Sequence, residues 1–171
     1  MTETLFAAFY LFAPAFVANG MPVVLKNMPG LKAWKTPVYA PWFGKNKTWR
    51  GIIGGTAFAV LVAWLQFFYA PLYYPFELTE QDALLIGLLL GLGVQAGDLV
   101  ESAVKRAMGM PPGAPLPFWD GIDYMVGAII FLAPFYIPGV LEIAVLILVA
   151  PVASLLANIT SYFLGWKNVW H

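Results

Sequence analysis

The stretch ALLIGLLLGLGVQAGDLVESAVKR, residues 83–106, decides how this chain is to be read. It is apolar from Ala83 nearly to Leu99, and no proline interrupts it between there and Arg106. Asp98, Glu101, Ser102, Lys105 and Arg106 recur at spacings that set them along one helical face, acids first and bases after. An ionisable residue at the edge of an apolar run costs several kcal/mol in lipid unless it is paired or hydrated. The expected element is therefore a membrane helix with a charged, working end.

Composition extends this reading to the whole chain. Of 171 residues, 61% are hydrophobic, 16% aromatic and 11% charged, where soluble domains carry roughly 25% charged residues. At about 20 apolar residues per span, a single all-α integral membrane domain over residues 1–171 is expected. Five apolar segments mark its transmembrane helices, at about 5–25, 51–71, 83–99, 122–137 and 140–166. Pro138-Gly139 separates the last two, which predicts a tight helical hairpin. The opening MTETLF lacks the basic start of a cleaved signal peptide, so the first helix is expected to be retained. With no cysteine and one histidine, His171, disulfides, thiol catalysis and ordinary zinc sites are excluded.

The formal net charge is zero, which suggests no nucleic-acid partner, yet the charges are segregated along the chain. Lys26, Lys32, Lys35, Lys45, Lys47 and Arg50 fall in one loop, about 26–50, while Lys105 and Arg106 fall in a second, about 100–121. Lys167 follows the last segment. Five spans bring all of these to one side and leave Glu3, Glu77, Glu80, Asp82 and Glu142 on the other. The positive-inside rule then makes both polar loops and the C-terminus cytoplasmic and the N-terminus external, in a multi-pass cell-membrane protein. Trp34, Trp42, Trp49, Trp119, Trp166 and Trp170 are expected as interfacial anchors near the basic face. Gly51/Gly55, Gly87/Gly91 and Gly93/Gly97, four residues apart within apolar segments, predict close helix contacts.

Four acids remain on the basic side: Asp98, Glu101, Asp120 and Asp123. In the bland reading, Asp98 and Glu101 pair with Lys105 and Arg106, and Asp120 caps the fourth helix. In the functional one, two acidic pairs meet across a loop. Carboxylates without histidine or cysteine favour a hard ion such as Mg²⁺, shared with a phosphate-bearing substrate. The first loop runs Phe43-Gly44-Lys45-Asn46-Lys47-Thr48-Trp49-Arg50-Gly51 into the second helix. It reads either as a phosphate cradle of glycines, cations, a hydroxyl and a helix N-terminus, or as a basic loop on anionic headgroups. The spacing is not that of a Walker A loop. The sequons at Asn46 and Asn158 fall on the cytoplasmic side and within a span, and are read as accidental. A transporter or channel is the rival reading. Against it, polar residues midway through the spans are few, mainly Gln66 and Gln95.

Ser102-Ala103-Val104-Lys105-Arg106, followed by a Pro/Gly-rich loop to Pro117-Phe118-Trp119-Asp120-Gly121-Ile122-Asp123, resembles the signature of the membrane CTP-dependent phosphatidate cytidylyltransferases. Gly121 stands where that family has arginine, and its Lys-Asp and His-Gly-Gly elements are missing. The five-span size and the Gly-Lys-x-Lys-Thr-x-Arg-Gly loop look more like the archaeal relatives, the CDP-archaeol synthases. That resemblance implies transfer of the cytidylyl group of CTP to the phosphate of 2,3-bis-O-geranylgeranylglycerol 1-phosphate, in phospholipid biosynthesis, with loss of pyrophosphate. It also implies Asp98, Asp120 and Asp123 as ligands of one or two Mg²⁺ ions, and Gly44, Lys45, Lys47, Thr48 and Arg50 around the triphosphate. Asn19 and Asn27 become candidates for the cytosine, and Ser102, Lys105 and Arg106 for the lipid phosphate or pyrophosphate. A CTP-dependent lipid kinase, which would move the γ-phosphate instead, shares the nucleotide and the layout.

Overall fold

Capping fixes where the helices begin. Thr79 and Asp82 form a capping box, with the Thr79 hydroxyl accepting from the Asp82 N–H and the Asp82 carboxylate accepting from the Thr79 N–H at 2.7 Å. From this start one unbroken helix of 28 residues, Glu80–Ala107, carries the apolar run and the whole charged face beyond it. Thr48 does the same for the second long helix, its hydroxyl accepting from the Gly51 N–H at 3.3 Å.

The computed structural model describes residues 2–111, 114, 116 and 119–167. Trp170 and part of the Pro/Gly-rich loop, namely Pro112, Gly113, Pro115, Pro117 and Phe118, lie outside the described residues. The elements are α1 (Thr2–Asn27), α2 (Ala40–Phe43), α3 (Trp49–Tyr69), a 3₁₀ turn (Pro71–Tyr73), α4 (Glu80–Ala107), α5 (Asp123–Leu132) and α6 (Val140–Phe163). Among the described residues there is no strand, only an isolated bridge between Pro37 and Thr48 that closes the first loop on itself.

Four helices, α1, α3, α4 and α6, are long and apolar enough to cross a membrane. The remaining expected span, 122–137, contains a shorter apolar helix of 10 residues. Its start is delayed because Gly121 has a φ of +98°, a left-handed conformation that breaks the preceding turn. At the other end the helix stops at Leu132, two residues before Pro134.

Helix α4 lies at the centre, against α3 on one side and α5 on the other. The glycine pairs make both contacts. A Cβ at Gly87 or Gly91 would lie within 3 Å of the α3 backbone at Val60 or Thr56. One at Gly93 or Gly97 would strike α5 at the Gly127 or Asp123 carbonyl. In lipid, where apolar burial adds little to helix association, such close van der Waals contact is the main cohesive term. Between these seams Leu11, Phe12, Ile86, Leu90, Met125 and Leu132 are fully buried.

The expected α5–α6 hairpin is loose. Helix α6 packs more on α1 than on α5 and buries only Glu142, Leu146 and Ala150. A hydrogen bond from the Tyr124 hydroxyl to the Ala150 carbonyl, 3.1 Å, links it to α5. Toward the other end of the bundle, Gln66 and Tyr10 bond each other's backbone carbonyls across α1 and α3. Gln66 thus serves structure there.

Candidate active site

At the end of the bundle where the first loop and the α4–α5 loop lie, a cavity of about 1100 Å³ is lined from α1, α3, α4, α5 and α6. Asp98 and Glu101, one turn apart on α4, face it, and Asp123 meets them from the first turn of α5. Each of the three offers a carboxylate oxygen within 4.8 Å of the others. The Gly97 seam makes this approach possible, because a Cβ there would fall 2.1 Å from the Asp123 carbonyl oxygen. Asp123 is further aimed by the Gly121 N–H, which donates to its Oδ1 at 2.9 Å.

Cations lie against this acidic group. The Lys47 ammonium, from the first loop, reaches the Asp98 carboxylate at 2.5 Å. Lys105 bridges Glu101 Oε1 at 2.9 Å and Asp120 Oδ1 at 2.6 Å. The second Asp120 oxygen accepts from the Leu116 N–H at 3.0 Å. Burial opposes ionisation of Asp120, but its hydrogen bonds with Glu101, Lys105 and the Leu116 N–H prevail and hold the carboxyl below its usual range.

The residues singled out in the sequence divide into those that line the cavity and those that do not. Asp98, Asp120, Asp123, Lys105, Lys45, Lys47, Thr48, Arg50, Asn19 and Asn27 line it. Gly44, Ser102 and Arg106 are not among the lining residues. Gly44 turns the first loop with a φ of +81°, Ser102 is buried, and Arg106 lies one position beyond the face that Asp98, Glu101 and Lys105 share. Some lining groups are already engaged: the Thr48 hydroxyl caps α3, and the buried Arg50 guanidinium donates to the Leu31 carbonyl at 2.7 Å, bracing the loop. Asp120 does not cap α5, whose first residue follows Ile122. The acid that completes the oxygen cluster with Asp98 and Asp123 is Glu101, which the sequence reading left without a ligand role. Its i, i+3 relation to Asp98 was the available signal. Ser154 and Asn158 of α6, and Lys167 just after it, are further polar lining residues.

The donor set suits a hard divalent ion: three carboxylates gathered within 4.8 Å and, among the described residues, neither histidine nor cysteine. Fold and site together define a multi-pass helical membrane protein with a charged chamber at one end.

The family model for CarS-like CDP-archaeol synthase matches residues 1–171. A CDP-archaeol synthase of Thermococcus onnurineus is 36% identical over 170 residues, 98% of this chain and 97% of its own length. One from Pyrococcus abyssi is 35% identical over 168 residues, 96% of this chain and 97% of its own. A solved structure, described as an intramembrane enzyme for archaeal membrane lipids biosynthesis, is 25% identical. It superposes with a TM-score of 0.73 over 89% of this chain and 92% of that one. The chain belongs to the CDP-archaeol synthase family. It is accordingly a membrane transferase of lipid biosynthesis, of the CTP-dependent cytidylyl-transferring kind.

Proposed function

We propose that this protein transfers the cytidylyl group of CTP to 2,3-bis-O-geranylgeranylglycerol 1-phosphate, with Mg²⁺ held by Asp98, Glu101 and Asp123. The observation that carries the reading is the chamber itself, in which three clustered carboxylates adjoin Lys47 and Lys105 at the end of an apolar bundle. A phosphate oxygen of the lipid attacks the α-phosphorus of CTP. The bond from that phosphorus to the bridging α–β oxygen breaks, and pyrophosphate leaves with the electron pair. No protein nucleophile is needed, and the chain contributes positioning and charge neutralisation.

A bound Mg²⁺ would neutralise phosphate charge and orient the triphosphate. Lys45 and Lys47 receive the triphosphate over the N-terminus of α3, whose first amides and dipole favour anions. Arg50 keeps that loop closed through Leu31. Lys105, set by Glu101 and Asp120, neutralises charge that develops on the pyrophosphate. Asn19 and Asn27, on the α1 side of the cavity, contact the base. The chamber faces the cytoplasm in this reading, supported by the gathering of lysines and arginines in the loops around it.

The test uses detergent-solubilised protein with Mg²⁺, the lipid phosphate and CTP labelled at either the α- or the γ-phosphorus. Label from α-labelled CTP should enter the organic phase, and Asp123→Asn should abolish its entry. Transfer of γ-label alone would replace this reading with a lipid kinase.

A further inference from the structure

Among the cations lining the chamber, Lys47 and Lys105 are held by carboxylates, whereas Lys167 is differently placed. Helix α6 ends at Phe163, and Gly165, with a φ of +71°, turns the chain back. The N–H groups of Trp166 and Lys167 both donate to the Ser161 carbonyl, at 2.8 and 3.2 Å, which fixes the turn. The Lys167 side chain therefore folds back along α6, and its ammonium donates to Asn158 Oδ1 at 2.6 Å. It is half-buried and lines the chamber. Among the described residues no carboxylate lies within ion-pair distance of it.

An ammonium has three donors, and one neutral amide oxygen leaves two of them for a ligand. Burial, and the charges of Lys26 and Lys47, outweigh the opposing charges of Asp120 and Asp98, disfavour its protonated form and push its pKa down. A half-buried positive charge beside other positive charges calls for an anion. The adjoining wall says which kind. From α1 come Phe16, Val17, Met21, Val23 and Val24, and from α6 Ala157 beside the polar Ser154, Thr160 and Ser161. A nucleotide joins its phosphates to an aromatic base with polar edges, while a lipid phosphate monoester joins a dianionic head to aliphatic chains. The second matches a cation in a chamber whose α1 wall is largely aliphatic.

We propose that Lys167, oriented by Asn158, takes the phosphate of the lipid substrate, with the first part of the lipid chains lying along the α1–α6 wall. This rests on the cytidylyl-transfer reading and adds a substrate-specific contact to it. Lys47 and Lys105 are thereby left to the nucleotide side of the reaction.

The experiment measures initial rates for wild type, Lys167→Met, Lys167→Arg and Asn158→Ala in mixed micelles, with CTP and the lipid phosphate varied separately. Loss of a charge-assisted contact predicts that Lys167→Met raises KM for the lipid phosphate about tenfold or more while KM for CTP stays within about twofold. Lys167→Arg should recover most of the loss, and Asn158→Ala should show a smaller shift of the same kind. A rise in KM for CTP as large as that for the lipid, or no change in either, overturns the proposal.

Thermal stabilisation by the lipid phosphate without CTP, relative to the uncharged lipid alcohol, is read on the same proteins. CTP-induced stabilisation checks that each variant is folded. If wild type makes no labelled lipid, the transfer reading fails on its own. The contact then stands if Lys167→Met loses the phosphate-dependent stabilisation, and falls if the variant keeps it.

Discussion

Replacing Gly97 by alanine should disable the chamber from a position that touches no substrate. The new Cβ would lie 2.1 Å from the Asp123 carbonyl oxygen and 2.8 Å from its carbonyl carbon, both backbone atoms. Real Cβ atoms essentially never come closer than 3.0 Å, so α5 must retreat by about 1 Å at the residue that presents the third carboxylate. Misplacement of that size in a reacting constellation costs about 100-fold in rate, and overpacking of this kind costs about 1–3 kcal/mol of stability. Gly54→Ala is the matched control. Its Cβ would also meet a neighbour at 2.1 Å, but the neighbour is the tip of the Leu25 side chain, which can rotate away. Transfer of α-labelled phosphorus from CTP into extractable lipid, with melting followed in the same detergent, measures both. The expected result is a rate about 100-fold lower for Gly97→Ala, with a folded protein, and a rate near wild type for Gly54→Ala. Wild-type turnover in Gly97→Ala would refute the link between the α4–α5 seam and the position of Asp123.

Other outcomes follow from the same geometry. Glu101→Gln should lower kcat by about 100-fold or more while leaving the helix intact, as judged by circular dichroism, because it removes one oxygen ligand charge from the cluster. Thr48→Ala should lower stability by about 1 kcal/mol through loss of the α3 cap, and Thr48→Ser should restore it, both read by chemical denaturation in mixed micelles. Asp120 is held below the usual carboxylate range, so its contribution to stability is complete above that range and fades as pH falls through its lower folded-state value. Asp120→Asn should remove that part of the acid limb in a melting-versus-pH series. Chelation of Mg²⁺ by EDTA should stop transfer, and excess Mg²⁺ should restore it.

Much of this arrangement was legible in the chain. The uninterrupted run from Ala83 to Arg106 announced a membrane helix with a charged end, and α4 carries it unbroken. The glycine pairs announced close helix contacts, because residues four apart on a helix share a face, and the fold makes those of α4 with α3 and α5. What escaped was conformational or partner-dependent. The length of α5 hinges on the left-handed Gly121, which no hydropathy pattern reveals. Three-residue spacing suggested that Asp120 and Asp123 point together, but the same turn sends Asp120 to Lys105 and leaves Glu101 to join Asp98 and Asp123. Arg50 read as a phosphate ligand; it lines the chamber, and the sequence does not reveal that its guanidinium also donates to the Leu31 carbonyl. Asn158 appeared only as an accidental sequon, since its value depends on Lys167 folding back toward it past Gly165.

The pairing of Lys47 with Asp98 has a thermodynamic corollary. Each satisfies the other in the resting chamber, so a ligand that engages one partner must first compete with the pair and then leaves the other partner available. An anion drawn to Lys47 exposes a carboxylate, and a cation drawn to Asp98 releases an ammonium. Linkage makes this reciprocal: the two ligands strengthen each other's binding by the same factor. A chamber built this way is expected to hold each ligand more tightly in the presence of the other. Membrane embedding adds a benefit here, since an internally neutralised site is less costly beside hydrocarbon than a bare cluster of like charges.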